Sequence, residues 1–321
     1  MCQEKQIMNT INAMINQIEI EEHCTKHSIP LKIPYTLEDI QSCKDITKEQ
    51  VLKDYANLVK FKGDTNPKKF CGNKILYKYQ FRNLLKCKRE KGKTIEEIFN
   101  DPDAKEKLWR DTIKRNKRDK APYPNATDVY ECNRINTGAI VFFKSSTAKY
   151  IYKKFNATSV LDFTMGWGGR MLGAMASDVN YIGVDTNTNL KEGYEQLLHD
   201  IPHKSKVQLI WDSCLEVDFS KLEYDLILTS PPYVNMELYE NMTPFESDEL
   251  FYNNFLIPTM NRAYKYMKVG GKMCINISPK MYKHLTEKFG YRECDSKEDL
   301  RQHMGKNFVV KSQDYIYIWE K

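Results

Sequence analysis

No stretch of this 321-residue chain approaches the roughly 18 consecutive apolar residues that a membrane-spanning helix needs. Its first residues lack a basic segment followed by an apolar one, so no secretory signal is expected. Paired cysteines are missing too. The nine cysteines stand at 2, 24, 43, 71, 87, 132, 214, 274 and 294, with no Cys-x-x-Cys spacing. An odd, irregular set predicts reduced thiols rather than a disulfide framework. The expected setting is intracellular: cytoplasm, or nucleus or viral factory if the source is eukaryotic or viral. His23, Cys24, His27 and Cys43 come nearest to a metal-ligand set, but Cys24 and Cys43 lack the spacing of structural zinc. No metal and no membrane partner are expected. Internal repeats and low-complexity tails are also absent.

What is present is the composition of a soluble globular protein: 41% hydrophobic, 29% charged, mean hydropathy −0.62. The length allows one or two domains. The net charge of +6 is concentrated in one place. Residues 61–120 carry 19 basic and 9 acidic side chains, whereas 1–60 carry 7 and 9, and 121–321 carry 23 and 25. Lys114, Arg115, Lys117, Arg118 and Lys120 close the basic block. A localised basic surface beside a near-neutral body suits a polyanion. Lys114, Arg115, Lys117 and Arg118 are therefore the candidate nucleic-acid contacts, against the plainer reading of a solvated lysine-rich helical face.

The first part of the chain reads as helical. Thr36-Leu-Glu-Asp-Ile and Thr47-Lys-Glu-Gln-Val resemble helix starts, with a polar cap and acid in the first turn. Pro122-Tyr-Pro-Asn125 breaks the pattern and suggests a boundary. The expected domains are 1–125, mainly helical and basic, and 126–321, carrying the chemistry.

From about residue 138 the pattern changes to short β-rich runs between helical segments. Ser159–Phe163, Tyr181–Asp185, Val207–Trp211 and Tyr224–Thr229 are candidate strands, apolar on both faces as a buried parallel sheet requires. Lys272–Ser278 supplies a fifth, and 314–320 a last strand with alternating exposure. The expected fold is a doubly wound α/β sheet with ligands at the carboxyl ends of its strands.

Asp162-Phe-Thr-Met-Gly-Trp-Gly-Gly-Arg170 follows the first strand and precedes a helical run. Glycines there let the backbone turn and approach a ligand closely. Met171 stands where the dinucleotide fingerprint has its third glycine, which weighs against a nicotinamide oxidoreductase. Asp185, at the end of the second strand, is placed to accept hydrogen bonds from two ribose hydroxyls. Asp212 and Ser213 close the third strand and are placed for an adenine amino group. Each such acid has a plainer reading as a loop cap, but their order beside the glycine turn favours a nucleoside.

The fourth strand ends in Ser230-Pro231-Pro232-Tyr233. An exocyclic base amine is a poor nucleophile because its lone pair is delocalised into the ring. Acceptors on its hydrogens favour a pyramidal nitrogen and stabilise the charge that develops as a methyl group arrives. Ser230 supplies one acceptor and the Pro231 carbonyl another. Consecutive prolines fix φ and donate no N–H, which sets the carbonyl direction in advance. Tyr233 would stack on the base, which must be flipped or already single-stranded. A proline turn or polyproline ligand is the competing reading. No cysteine follows a proline, which argues against the Pro-Cys route to ring carbon 5.

With these residues in view, roughly 136–321 resembles the S-adenosylmethionine (SAM)-dependent DNA amino-methyltransferases that modify cytosine N4 or adenine N6. The similarity is to the subgroup of restriction–modification systems, phages and large DNA viruses. The resemblance implies a Rossmann-like class I methyltransferase sheet with an antiparallel last strand. It implies SAM as cofactor, a duplex DNA partner with RNA as the alternative, and a cognate restriction endonuclease in some settings. The family's cofactor-loop residues match Asp162, Gly166 and Gly168, with Phe163 and Thr164 between them; its ribose acid matches Asp185, and its catalytic motif Ser230 through Tyr233. Asn136–Ser146 lies where the family has a further cofactor-contacting element. Thr164 stands where the family often has Phe, and no long target-recognition insert follows the last strand. Serine at the head of the tetrapeptide leans toward cytosine N4. Adenine N6, an RNA base amine and a non-catalytic nucleic-acid-binding protein are the alternatives.

Overall fold

Polar residues ahead of short apolar runs start several helices. A computed structural model describes residues 2–67, 70–89, 92–118, 123–137, 140–232, 237–238, 245–300, 302–304, 308–310 and 314–321. In it Thr36, Thr47, Thr94 and Asn125 each accept the N–H three residues on, and Asp39, Gln50, Glu97 and Asp128 return a bond to the cap. Both helix starts expected from the sequence are among these reciprocal caps.

The chain divides differently from the expected boundary at 125. One unit comprises 1–45 and 91–140, the other 46–90 and 141–321. The physical reason lies in the second unit. The Lys149 ammonium is buried and donates to the carbonyls of Leu58 (3.1 Å), Val59 (2.9 Å) and Ala176 (2.7 Å). This ties the end of helix Lys48–Lys60 to the sheet-bearing part. Gln80 and Asn83 of helix Asn73–Leu85 donate to Leu190 O (3.2 Å) and Asn189 O (3.0 Å). These partners lie more than 100 residues downstream, so they leave no local trace in the sequence.

The first unit is helical: Cys2–His27, Leu37–Ser42, Ile95–Phe99, Pro102–Arg118 and Ala126–Asn136. Trp109 is fully buried there and its indole N–H donates to Pro30 O at 2.8 Å. A Lys44–Glu131 pair at 2.9 Å joins two of its segments.

The second unit is built on seven strands: β1 (Ser159–Asp162), β2 (Asn180–Val184), β3 (Val207–Ile210), β4 (Leu226–Thr229), β5 (Lys272–Ile277), β6 (Ser296–Asp299) and β7 (Tyr315–Glu320). Their order across the sheet is β3-β2-β1-β4-β5-β7-β6. β3, β2, β1, β4 and β5 are parallel, and β7 runs antiparallel to both β5 and β6. The six expected strands are all present, and β6 is an addition. One expectation is corrected: β7 does not alternate in exposure. Ile316, Tyr317, Ile318 and Trp319 are all buried, because β7 lies between β5 and β6 instead of at an edge.

Phe163, Phe251, Tyr252, Leu256, Met260 and Trp319 anchor the core on one face of the sheet. Strand order reverses between β1 and β4, the switch point where such sheets open a crevice at their carboxyl ends. Among the described residues no helix is long and apolar enough to cross a membrane.

Candidate active site

The turn after β1 is shaped by two glycines with left-handed backbones, Gly166 (φ +53°) and Gly168 (φ +87°). Gly168 caps helix Gly169–Met175. A Cβ on Gly166 would meet nothing nearer than Thr164 O at 3.9 Å, so the backbone is open to a ligand there. Gly168 and Gly169 instead face protein: a Cβ on Gly169 would lie 2.1 Å from Phe143 O. Tyr194 braces the turn from below, its hydroxyl donating to Gly166 O at 2.8 Å, and its ring meets Trp211 edge-on at 5.6 Å.

Asp162 is wholly buried beneath this turn. Its Oδ2 accepts from Arg170 Nε (2.6 Å) and the Tyr181 hydroxyl (2.6 Å), and its Oδ1 from Thr229 Oγ1 (2.8 Å). Arg170 also donates to Thr164 O. Burial alone would lower the Arg170 pKa, but the Asp162 carboxylate outweighs it and holds the guanidinium above its ordinary value. Burial, then the Asp162 charge, raises the Tyr181 hydroxyl and keeps it a donor. Asp162 therefore acts inside the protein, organising the turn. Phe163 likewise points into the core. The arginine, the tyrosine and the threonine were not singled out from sequence, and only Arg170, adjoining the glycines, carried a local signal.

Asp185 accepts from Gly166 N (2.8 Å) and Asn187 N (2.9 Å) and stays partly exposed. Burial raises its pKa, although these two N–H bonds pull the other way. It thus sits beside the open glycine with acceptor capacity to spare. Asp212 is exposed and accepts from Ser213 N at 2.7 Å, while Ser213 Oγ accepts from Leu215 N at 3.2 Å. Both shape the turn after β3.

β1 and β4 are neighbours, with Leu161 opposite Ile227. Their continuations meet: Thr164 Oγ1 lies 2.6 Å from Thr229 Oγ1. Because Thr229 already donates to Asp162, Thr164 is the donor in that pair. Ser230 follows directly. Its hydroxyl donates to Asn276 Oδ1 at 3.2 Å, and Asn276, buried on β5, donates through Nδ2 to Tyr315 O at 3.1 Å. The second bond fixes which end of the amide faces Ser230. With its hydrogen so engaged, Ser230 presents lone pairs elsewhere. Pro231 is buried and Pro232 partly exposed. Tyr233 lies outside the described residues. Just beyond it, Glu237 and Leu238 pair antiparallel with Arg89 and Lys88.

Orphaned polar atoms near the glycine helix suit a nucleoside cofactor carrying an amino-acid tail. Ser145, Ser146 and Thr147 begin helix Ser145–Lys154, and their buried hydroxyls have no partner. This helix packs on the glycine helix: a Cβ on Gly173 would lie 2.7 Å from Ser145 O. Unsatisfied donors, a helix N-terminus, the open Gly166 and Asp185 fit such a molecule. Lys114 and Arg115, half-buried on helix Pro102–Arg118, belong to the other unit, and the side chains of Lys117 and Arg118 lie outside the described residues. Among the described residues no three His, Cys, Asp or Glu side chains converge as metal ligands would.

No protein-family model matches the chain, and no curated protein matches it in sequence. Among solved structures, an rRNA methylase from Streptococcus thermophilus aligns at 13% identity over 57% of this chain and 99% of its own, with TM-score 0.38. TrmN from Thermus thermophilus aligns at 14% over 56% of this chain, with TM-score 0.40; the match spans about half of TrmN, 49%. A SAM-dependent O-methyltransferase from Thermotoga maritima aligns at 12% over 58% of this chain and 69% of its own, with TM-score 0.40. The strand order and the reversed β7 carry the conclusion by themselves. The second unit has the Rossmann-like class I methyltransferase fold.

Proposed function

We propose that the sheet-bearing unit methylates the exocyclic amino group of a DNA base, cytosine N4 first, with SAM as the methyl donor. The observation that supports this most directly is the Thr164–Thr229 contact of 2.6 Å. It joins the start of the cofactor turn to the residue that precedes the catalytic tetrapeptide. When bound, SAM supplies an electrophilic methyl group on a sulfonium. Asp185 and the Gly166 turn would hold its nucleoside, and the start of helix Ser145–Lys154 its charged tail.

The remaining chemistry belongs to the chain. Ser230 Oγ gives its own hydrogen to Asn276, so its lone pairs are available to an amine N–H. The Pro231 carbonyl, fixed by the following proline, offers the second acceptor. Two acceptors on one amine pull its hydrogens out of the ring plane and stabilise the cation formed at nitrogen. The leaving proton passes to water. Ser230→Ala should leave SAM binding nearly unchanged and lower turnover by about one to three orders of magnitude.

The test incubates the protein with labelled SAM and separate pools of duplex DNA, single-stranded DNA and RNA, followed by digestion to nucleosides and mass spectrometry. N4-methylcytosine in DNA is the expected product. N6-methyladenine would move the target base, label in RNA alone would move the polymer, and no labelled nucleoside would end the proposal.

A further inference from the structure

Helix Asn73–Leu85 contains no acidic residue, and its charge lies on one row. Lys74, Lys78, Arg82 and, at its C-cap, Lys86 are all exposed at four-residue spacing. Each step along such a row rises about 6 Å. Like charges four apart on a helix destabilise it, and a cation in the first turn opposes the helix dipole. The row is therefore a cost to the isolated helix. Segment 61–90 as a whole holds nine basic and two acidic side chains, so it stays strongly positive whatever local pairs form.

The opposite side of the helix packs beside the glycine turn and the loop after β2. Ile75, Leu76, Gln80, Phe81 and Leu84 are buried. Gln80 and Asn83 bond to Leu190 O and Asn189 O, in the loop and turn beyond β2. Tyr77 lies 5.0 Å from Phe142, which lies 5.8 Å from Trp167 between the two turn glycines. Past Lys86 the chain enters the short pairing of Lys88 and Arg89 with Leu238 and Glu237. The row thus begins near the glycine turn and leads to the segment leaving the tetrapeptide.

We propose that Lys74, Lys78, Arg82 and Lys86 form the track for the phosphate backbone of the DNA strand that carries the target base. This rests on the methyl-transfer reading above and assigns its polymer contact to the sheet-bearing unit. A solvated basic face is the ordinary alternative. Two features weigh against it: the lack of any acid in the helix, and its position at the reactive edge.

The test measures binding of fluorescein-labelled 24-nucleotide DNA, single-stranded and duplex, by anisotropy across a potassium chloride series. The row variant (K74A, K78A, R82A, K86A) is compared with a control of equal charge loss at the opposite edge (K204A, K206A, K221A, K268A). The slope of log K against log salt should fall in magnitude by about 2.8 for the single strand and about 3.6 for the duplex in the row variant. The control should keep the wild-type slope. The SAM affinity of the DNA-free row variant should be unchanged. Equal slopes in the row variant and the wild type, or equal losses in the two variants, would overturn the track. If wild type methylates DNA while the slopes match, the track alone fails; if it methylates no DNA, the underlying reading fails first.

Discussion

Asn276→Leu separates positioning from chemistry at the proposed site. The substitution keeps the branching and heavy-atom count of the side chain, removes the acceptor of the Ser230 hydroxyl and takes one side-chain donor from Tyr315 O. Two part-buried hydrogen bonds are lost, and the Ser230 hydroxyl must find another acceptor, so stability should fall by about 1–3 kcal/mol. The effect on rate has a different origin. Freed from Asn276, the Ser230 hydroxyl samples three staggered wells, so its productive fraction drops to about one third. Its hydrogen can also turn toward the amine and repel it. We expect single-turnover rates with saturating DNA and labelled SAM to fall about 3- to 10-fold, a smaller loss than for Ser230→Ala. SAM affinity by calorimetry should not change, since Asn276 has no bond to the glycine turn. The decisive measurement is a double-mutant cycle. In a Ser230→Ala background, Asn276→Leu should cost no further rate. Additive losses would show that Asn276 acts independently of Ser230 and would refute the mechanism of positioning.

Arg170→Met should destabilise the fold by about 3–5 kcal/mol in denaturant melts, because Asp162 would be left buried without its countercharge; a loss below about 1 kcal/mol would contradict that pairing. Gly169→Ala forces a Cβ to 2.1 Å from Phe143 O. It should cost about 1–3 kcal/mol and weaken SAM binding by displacing the turn, and an unchanged melting temperature would show that the turn yields freely. Burial raises the Asp185 pKa, so the folded state holds that proton more tightly than the unfolded state. Its contribution to stability is complete below the ordinary aspartate range and disappears as pH rises through the raised value. The stability difference between SAM-free wild type and Asp185→Asn should therefore decline across that window and flatten above it; a rise would reverse the assignment. The same variant should bind SAM more weakly by calorimetry.

The strands were legible because β1, β2, β4 and β5 are apolar on both faces and lie between clear turn signals. β6, Ser-Lys-Glu-Asp, was not, since an exposed edge strand needs no apolar residue. Its partner β7 reads as alternating until the sheet order shows both sides covered. At the site, the glycine turn and tetrapeptide were visible as local motifs. Tyr181, Thr229, Tyr194 and Asn276 were not, because each acts through a partner from another strand or turn. Asp162 was legible as a member of the cofactor loop, while its three protein donors, all from elsewhere on the sheet and the glycine helix, were not. The basic block was visible as composition, while its division between two units depends on which helices bury Gln80 and Lys149.

The order in which the chain visits its two units limits how the chain can be dissected. It leaves the helical unit at 45, returns at 91 and departs again at 140. A fragment starting at 126 would lack both helices that lie over the glycine helix and the loop after β2. Its Leu172 and Leu190 would be stripped of cover, inviting aggregation. Expression of 126–321 alone should yield insoluble material, whereas inserting a tag at an exposed loop would keep every piece of the folded body.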